Sequence, residues 1–162
     1  RKLPLPRPAG RKVTTNRKTS NDPVGSLTDG RLSQSFGPIF PNGVHNGAYK
    51  MDLGEVQSVA AIIRWSHNQA DRRGPQKLTI YGSNASTDPG WDLNTFTPLG
   101  TIDTGTATAR FTAASLLATE GNILGRFRWI VWAVSPVNHL GGGENTAFQE
   151  LAVETVGERL ND

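Results

Sequence analysis

Two acidic residues from the far ends of the chain stand out by type and position. They are Asp29, in Leu27-Thr28-Asp29-Gly30, and Glu150, in Phe148-Gln149-Glu150-Leu151-Ala152-Val153-Glu154. An Asp-Gly turn near a first strand and a Glu opening a last strand meet where the two ends of a β-sandwich come together. Carboxylates joined in that way repel, and need a cation, a proton or a basic neighbour. Calcium takes six to eight oxygens, many of them main-chain carbonyls of an irregular loop, which residues 27–35 can supply. The plainer reading is that Asp29 makes only its turn and Glu150 is a surface acid.

A second group is suited to binding. Asn42, His45 and Asn46 fall in one turn-rich stretch, His67, Asn68, Gln69, Asp71, Arg72 and Arg73 in another, and Asn138, His139, Glu144 and Asn145 in a third. Their fixed, often planar donors and acceptors match sugar hydroxyls. Trp65 and Trp91 offer flat apolar faces for stacking, although Trp65 closes an apolar strand, as a core residue does, and Trp91 can equally anchor its loop. Catalytic signatures are missing: there is no Gly-x-Ser-x-Gly elbow, His-Glu-x-x-His pair or phosphate loop. His45, His67 and His139 do not lie at metal-ligand spacing. Asp71, Asp92 and Glu144 are loop acids that nothing pairs, so two carboxyls flanking a glycosidic bond are not indicated.

The elements that position these residues read as strands. Tyr49, Met51 and Leu53 alternate with Lys50 and Asp52, Gly54-Glu55 turns the chain, and 56–65 forms a second strand with an apolar middle. Residues 77–83 follow, with Leu78 and Ile80 on one face. Thr-rich 96–102 and 106–111 suggest a hairpin, and the Ala and Leu of 113–121 suggest a short helical turn. The strongest strand is 125–134, with Phe127, Trp129, Val131 and Ala133 on one face and Arg128, Ile130, Trp132 and Val134 on the other. Residues 146–156 close the set. About eight strands and almost no helix predict an all-β fold, an eight-stranded antiparallel jelly-roll β-sandwich.

With 162 residues, 18 Gly and 10 Pro, the chain suits one domain of short strands and tight turns. The absence of cysteine excludes disulfides and thiolate metal sites. The net charge of +3 conceals an asymmetry: seven of the 17 Lys and Arg fall in residues 1–20, which hold none of the 14 acids. The basic stretch, with Pro4, Pro6 and Pro8, reads as a leader or linker (1–21), followed by a sandwich (22–156) and a short tail (157–162). Its charges are not interleaved with aromatics, so nucleic acid is not the expected partner. No segment reaches the ~18 apolar residues of a membrane span. The chain opens on Arg1, as a mature form or an excised piece does.

Taken in order, several segments resemble the discoidin superfamily, the coagulation factor V/VIII type C domains, and are similar to carbohydrate-binding module family 32. They are Leu27-Thr28-Asp29-Gly30, Tyr49-Lys50-Met51-Asp52-Leu53-Gly54 with strand 56–65, Lys77-Leu78-Thr79-Ile80-Tyr81-Gly82-Ser83-Asn84, Trp91, Gly125-Arg126-Phe127-Arg128-Trp129-Ile130-Val131, and Thr146-Ala147-Phe148-Gln149-Glu150-Leu151. The resemblance implies a galactose-binding-like jelly roll without catalysis. It also implies a structural calcium held by Asp29, Glu150 and carbonyls such as that of Leu27. This chain departs from the pattern there, with Arg31 and Gln34 where an acid and a Thr are common, and Arg31 becomes an alternative neutraliser of the two acids. The resemblance places sugar in loops at one end of the sandwich and carries over His45, Arg72 or Arg73, and Asn138 or Asn145, with His67 and Trp91 as further candidates. It implies an exported, cell-surface or periplasmic setting, and the lack of a disulfide points to a bacterial member. The expected function is carbohydrate binding; a protein-interaction or adhesion domain using the same loops is the alternative.

Overall fold

The longest strand sets the architecture. Tyr49, Met51 and Leu53 do alternate inward, but Gly54-Glu55 does not end the strand: β4 is continuous over Gly47–His67, and its two ends come back together, Tyr49 lying against the ring of Phe148, which pairs with Ser66. Gly54 adopts φ 87° and residues between Asp52 and Gln57 bulge out, after which the ladder with the same neighbour resumes. A bulge of this kind bends and twists a strand without ending it. The first part of β4 therefore serves one sheet and the part after Val59 serves another.

The computed structural model describes residues 11–32, 36–41, 43–44, 46–67, 76–103, 111–119, 121–136 and 147–156. Its strands are β1 (Val13–Thr15), β2 (Ser20–Asn21), β3 (Pro38–Ile39), β4, β5 (Gln76–Ser83), β6 (Thr97–Asp103), β7 (Phe111–Leu117), β8 (Gly125–Pro136) and β9 (Phe148–Thr155), with short 3-10 helices at Val24–Thr28 and Leu93–Thr95. One layer has the order β1-β4-β8-β5-β6, and in the other β7 and β9 flank the second half of β4. All pairings are antiparallel. Tyr49, Met51, Leu78, Ile80, Ile130 and Trp132 from the first layer meet Ile62, Phe148, Leu151 and Val153 from the second in one core. This is the expected all-β sandwich of jelly-roll type.

Two local expectations are corrected. Residues 113–117 are strand, not helical turn: Ala113 to Leu117 pair with Trp65 to Ala61, and these backbone bonds outweigh the helix propensity of Ala and Leu. Of the expected Thr-rich hairpin, the first arm is β6, which pairs with β5, and residues 106–110 of the second lie outside the described residues. In β8 the inside–outside alternation slips at Arg128, opposite the β4 bulge. Phe127 thus lies in the core with Ile130, Trp132 and Val134, while Arg128 turns out to Asp52.

Part of the basic lead-in belongs to the fold. β1 pairs with β4, and Arg11 donates to the Val153 carbonyl at 2.9 Å. Residues 1–10 and 157–162 lie outside the described residues. Among the described residues no helix is long and apolar enough to cross a membrane.

The Asp52–Arg128 pair fixes the bulge. Nε and Nη2 of Arg128 donate to the two carboxylate oxygens at 3.0 and 3.2 Å, and Asp52 also accepts the Gly54 N–H at 2.8 Å. The Arg128 hydrogen bond is the largest cause holding the Asp52 carboxyl below its usual range. A depressed folded pKa gives stability above the unfolded value that is lost as pH falls through the folded one. Asp52→Ala is expected to lower the melting temperature by a few degrees at pH 7, with the gap from wild type closing in acid; thermal melts from pH 7 to pH 3 check this.

Candidate functional site

The strand directions gather several chain ends at one end of the sandwich. Gly47 at the start of β4 lies opposite Val134, and Gln76 at the start of β5 lies opposite Pro136 at the end of β8. Asp103, the last residue of β6, pairs with Lys77. His67, the last residue of β4, pairs with Phe111, and its N–H donates to Ala147 at 2.9 Å. The described residues that flank 68–75, 104–110 and 137–146, together with Asn46 before β4, thus share one rim. The predicted His45, Arg72, Arg73, Asn138 and Asn145 lie outside the described residues, as do Asp71, His139 and Glu144.

Two described residues show how this rim is built. His67 is half-buried between the edges of Phe36 and Phe111, with centroids 5.2 and 5.3 Å away, so its ring packs as a wall. Asn46 is gripped by Arg17, whose Nε donates to its carbonyl at 3.0 Å and whose Nη2 donates to Oδ1 at 2.6 Å. Sequence reasoning assigned Arg17 to the leader, and only the pairing of β1 with β4 brings it here.

Below the rim sits a residue that the sequence pattern did not reveal. Arg64 is fully buried, with its guanidinium 5.4 Å from the Phe148 ring and Nη1 donating to the Ser66 hydroxyl. Its Nε and Nη2 have no partner among the described residues, and burial lowers its pKa to about 10. A polar residue in an inward-facing position at the end of an apolar run was the available signal.

Asp29 and Glu150 are brought together as the strand order requires. Asp29 caps the helix Val24–Thr28, whose Leu27 is buried in the core. Glu150 lies opposite Trp65 on β9 and is 1% exposed. Its Oε2 accepts the Gly30 N–H at 3.0 Å, while Oε1 is buried without a partner among the described residues. The neighbouring Gln149 is also buried, with both amide heteroatoms unpartnered among the described residues. Desolvation first, with the Asp29 carboxylate adding to it, pushes the Glu150 pKa up to about 9. Glu150 is therefore not a surface acid. Nor is Arg31 its neutraliser: Arg31 gives its main-chain N–H to Asp29 Oδ1 at 2.9 Å, and its side chain is exposed. Among the described residues no three His, Cys, Asp or Glu side chains gather, so a cation here would draw also on main-chain and amide oxygens.

Trp91 is not brought together with His67. It follows β5, which runs away from the rim, and lies over the outer face of the five-stranded layer. There its ring is 4.0 Å from Lys50 Nζ, which donates to Gly90 O at 2.7 Å and pairs with Asp88. The anchor reading of Trp91 fits this placement. Trp65 is half-buried on the face opposite the core, beside Glu150. Asp92 accepts the Asn94 N–H as a helix cap.

No protein-family model matches the sequence, and no curated protein matches it. Solved structures do match in fold. An F-lectin (fucolectin) from striped bass serum superposes with TM-score 0.64 at 17% identity, over 90% of this chain and 47% of that one. A GH29 fucosidase from Ruminococcus gnavus in complex with fucose gives TM-score 0.62 at 14% identity, over 92% of this chain. The chain spans only 26% of that fucosidase. The family 32 carbohydrate-binding module from C. perfringens NanJ, in complex with galactose, gives TM-score 0.56 at 15% identity, over 89% and 93% of the two chains. At such identities the likeness establishes the fold, which is the galactose-binding-like sandwich that the sequence resembles.

Proposed function

We propose that the protein is a non-catalytic carbohydrate-binding module, part of a larger exported or cell-surface protein, with its ligand held at the loop end of the sandwich. The observation that carries this reading is the shared rim. The described flanks of the loops bearing His45, Arg72, Arg73, Asn138 and Asn145 start and finish at one end of a fold also found in a carbohydrate-binding module solved with galactose. Imidazole, guanidinium and carboxamide groups would supply the directed donors and acceptors, and His67 packs between Phe36 and Phe111 on the described rim. Trp91 has no part in this site. A few hydrogen bonds on an open site imply affinities from roughly millimolar to tens of micromolar, so useful avidity comes from repeated modules.

Calcium belongs to the same proposal as a structural ion. Glu150 and Asp29, with the Leu27 carbonyl, would hold it, and the unpartnered buried oxygens of Glu150 and Gln149 are donors of the hard kind calcium takes. The ion would supply the positive charge that the buried acid lacks and tie residues 24–31 to β9.

A glycan screen with and without a chelator, run on wild type, His45→Ala and Arg72→Ala, tests the reading. Binding to at least one glycan by wild type, weakened tenfold or more by either substitution, is expected. A screen in which wild type binds no glycan in either condition overturns it.

A further inference from the structure

The outer face of the five-stranded layer carries a recess that the loop-end site does not use. Lys12 and Thr14 at β1, Lys50 and Asp52 of β4, Trp129 of β8 and Asp88 enclose about 170 Å³. Cavities of roughly 150 Å³ hold one six-membered ring. The walls are fixed. Trp129 donates its indole N–H to Ala85 O at 2.8 Å, Arg128 donates to Ser86 O at 2.6 Å, and Lys50, 1% exposed, ties Gly90 and Asp88 to the sheet. Loop 84–91 is therefore pinned as the far side of a preformed hollow, which lowers the ordering cost of binding.

The polar groups around it are unequally used. Lys50 is matched by Asp88, and Asp52 by Arg128. Lys12 is exposed and makes no ion pair among the described residues. Asp88 remains more than half exposed, and Thr14 lies directly beside Lys50 across the ladder. Lys12 also acts on the Asp88 carboxylate, but with Lys12, Lys50 and Arg128 set against Asp88 and Asp52 the ring-sized hollow keeps one positive charge in excess, beside the Thr14 hydroxyl.

The geometry points to a second binding site here, for a single pyranose ring that bears a carboxylate. The sugar ring sits in the hollow against the narrow exposed edge of Trp129, which is 7% exposed with the Arg128 guanidinium 4.9 Å from its indole; the sugar carboxylate pairs with Lys12, and the sugar hydroxyls meet Thr14 and Asp88. This site stands apart from the loop end, so either can fail without the other.

Titration of the whole chain followed by ¹⁵N NMR tests it, with sodium glucuronate, glucose and sodium acetate as separate probes. Glucuronate is expected to shift the Trp129 indole N–H and the Thr14 and Gly90 amides saturably. Glucose should do so at least tenfold more weakly, and acetate not at all. Lys12→Glu should weaken glucuronate at least tenfold, and Arg72→Ala should leave these shifts unchanged. The assignment is overturned by no saturable shift at Trp129 up to about 50 mM glucuronate, which is the weak limit for a specific sugar contact. It is equally overturned by acetate matching glucuronate, which would make Lys12 a point for an adventitious ion only, by glucose matching glucuronate, or by Lys12→Glu binding as wild type does.

Discussion

Gly37→Ala should lose about 3 kcal/mol or more of folding stability, seen as a fall in melting temperature of roughly 6–12 °C for a chain of this size. Gly37 has φ 77°, a region that disfavours any side chain. A Cβ there would stand 2.1 Å from the Phe148 carbonyl oxygen and 3.0 Å from Gln149 Nε2. The obstacle is the backbone of β9, so no rotamer change relieves it. Chain 36–39 must retreat from β9, taking with it Pro38, whose carbonyl accepts the Tyr49 hydroxyl at 2.9 Å. Gly43→Ala provides the contrast. It has a comparable φ of 84° but nothing within 4 Å, so it should lose only the backbone part, about 1 kcal/mol. Equal losses in the two variants would show that the close approach to β9 contributes nothing.

Why Gly37 was not singled out from the sequence is instructive. A glycine after a polar run announces a turn, and nothing local says that another strand's carbonyl occupies the space of its side chain. The same limit applies to β4. Alternation at Tyr49, Met51 and Leu53 and the apolar run at Val59 to Ile63 were both legible, because burial writes itself into hydrophobicity. That one strand joins them was not, since Gly54 with its positive φ reads equally as a turn and as a bulge. The slip at Arg128 follows from that bulge and so was equally hidden.

For the sites, legibility ran along the same line. The pairing of Asp29 with Glu150 followed from strand order, and the structure places them together. The depth of Glu150 depended on how residues 24–31 lie on β9, a tertiary fact. Lys50 shows the failure most clearly. Alternation marked it as solvent-facing, and it does point away from the core, yet Trp91 and Gly90 fold back over it and leave it 1% exposed. A period-two pattern tells which face of a sheet a residue takes, not what later covers that face. Trp91, drawn toward the sugar site by its chemistry, was claimed by that cover.

Glu150→Gln should remove both a pH dependence and a metal dependence of stability. Without calcium the Glu150 carboxyl is held protonated in the fold by desolvation, with a folded pKa of about 9 against an ordinary 4.5. Between those values the native state keeps a proton that the unfolded chain releases, so stability falls as pH rises. Each pH unit in the window removes about 1.4 kcal/mol, or about 3 kcal/mol by pH 7. In chelator, wild type should therefore melt progressively lower from pH 5 to pH 9. Glu150→Gln, a neutral isostere that keeps an acceptor for Gly30 N–H, should stay flat and melt higher than wild type at pH 8. If the proposed ion binds there, calcium should reverse the order for wild type alone, because a bound cation favours the charged carboxylate; at a hundredfold excess over its dissociation constant it would add about 2.7 kcal/mol. Four melting curves against pH, for two proteins with and without the ion, separate the parts. A flat wild-type curve in chelator denies the buried proton, and a calcium response that survives Glu150→Gln places the ion elsewhere. The two effects share one cause: an acid this deeply covered is tolerated only as a neutral group or as half of a charge pair, and the fold supplies the partner from outside the protein or not at all.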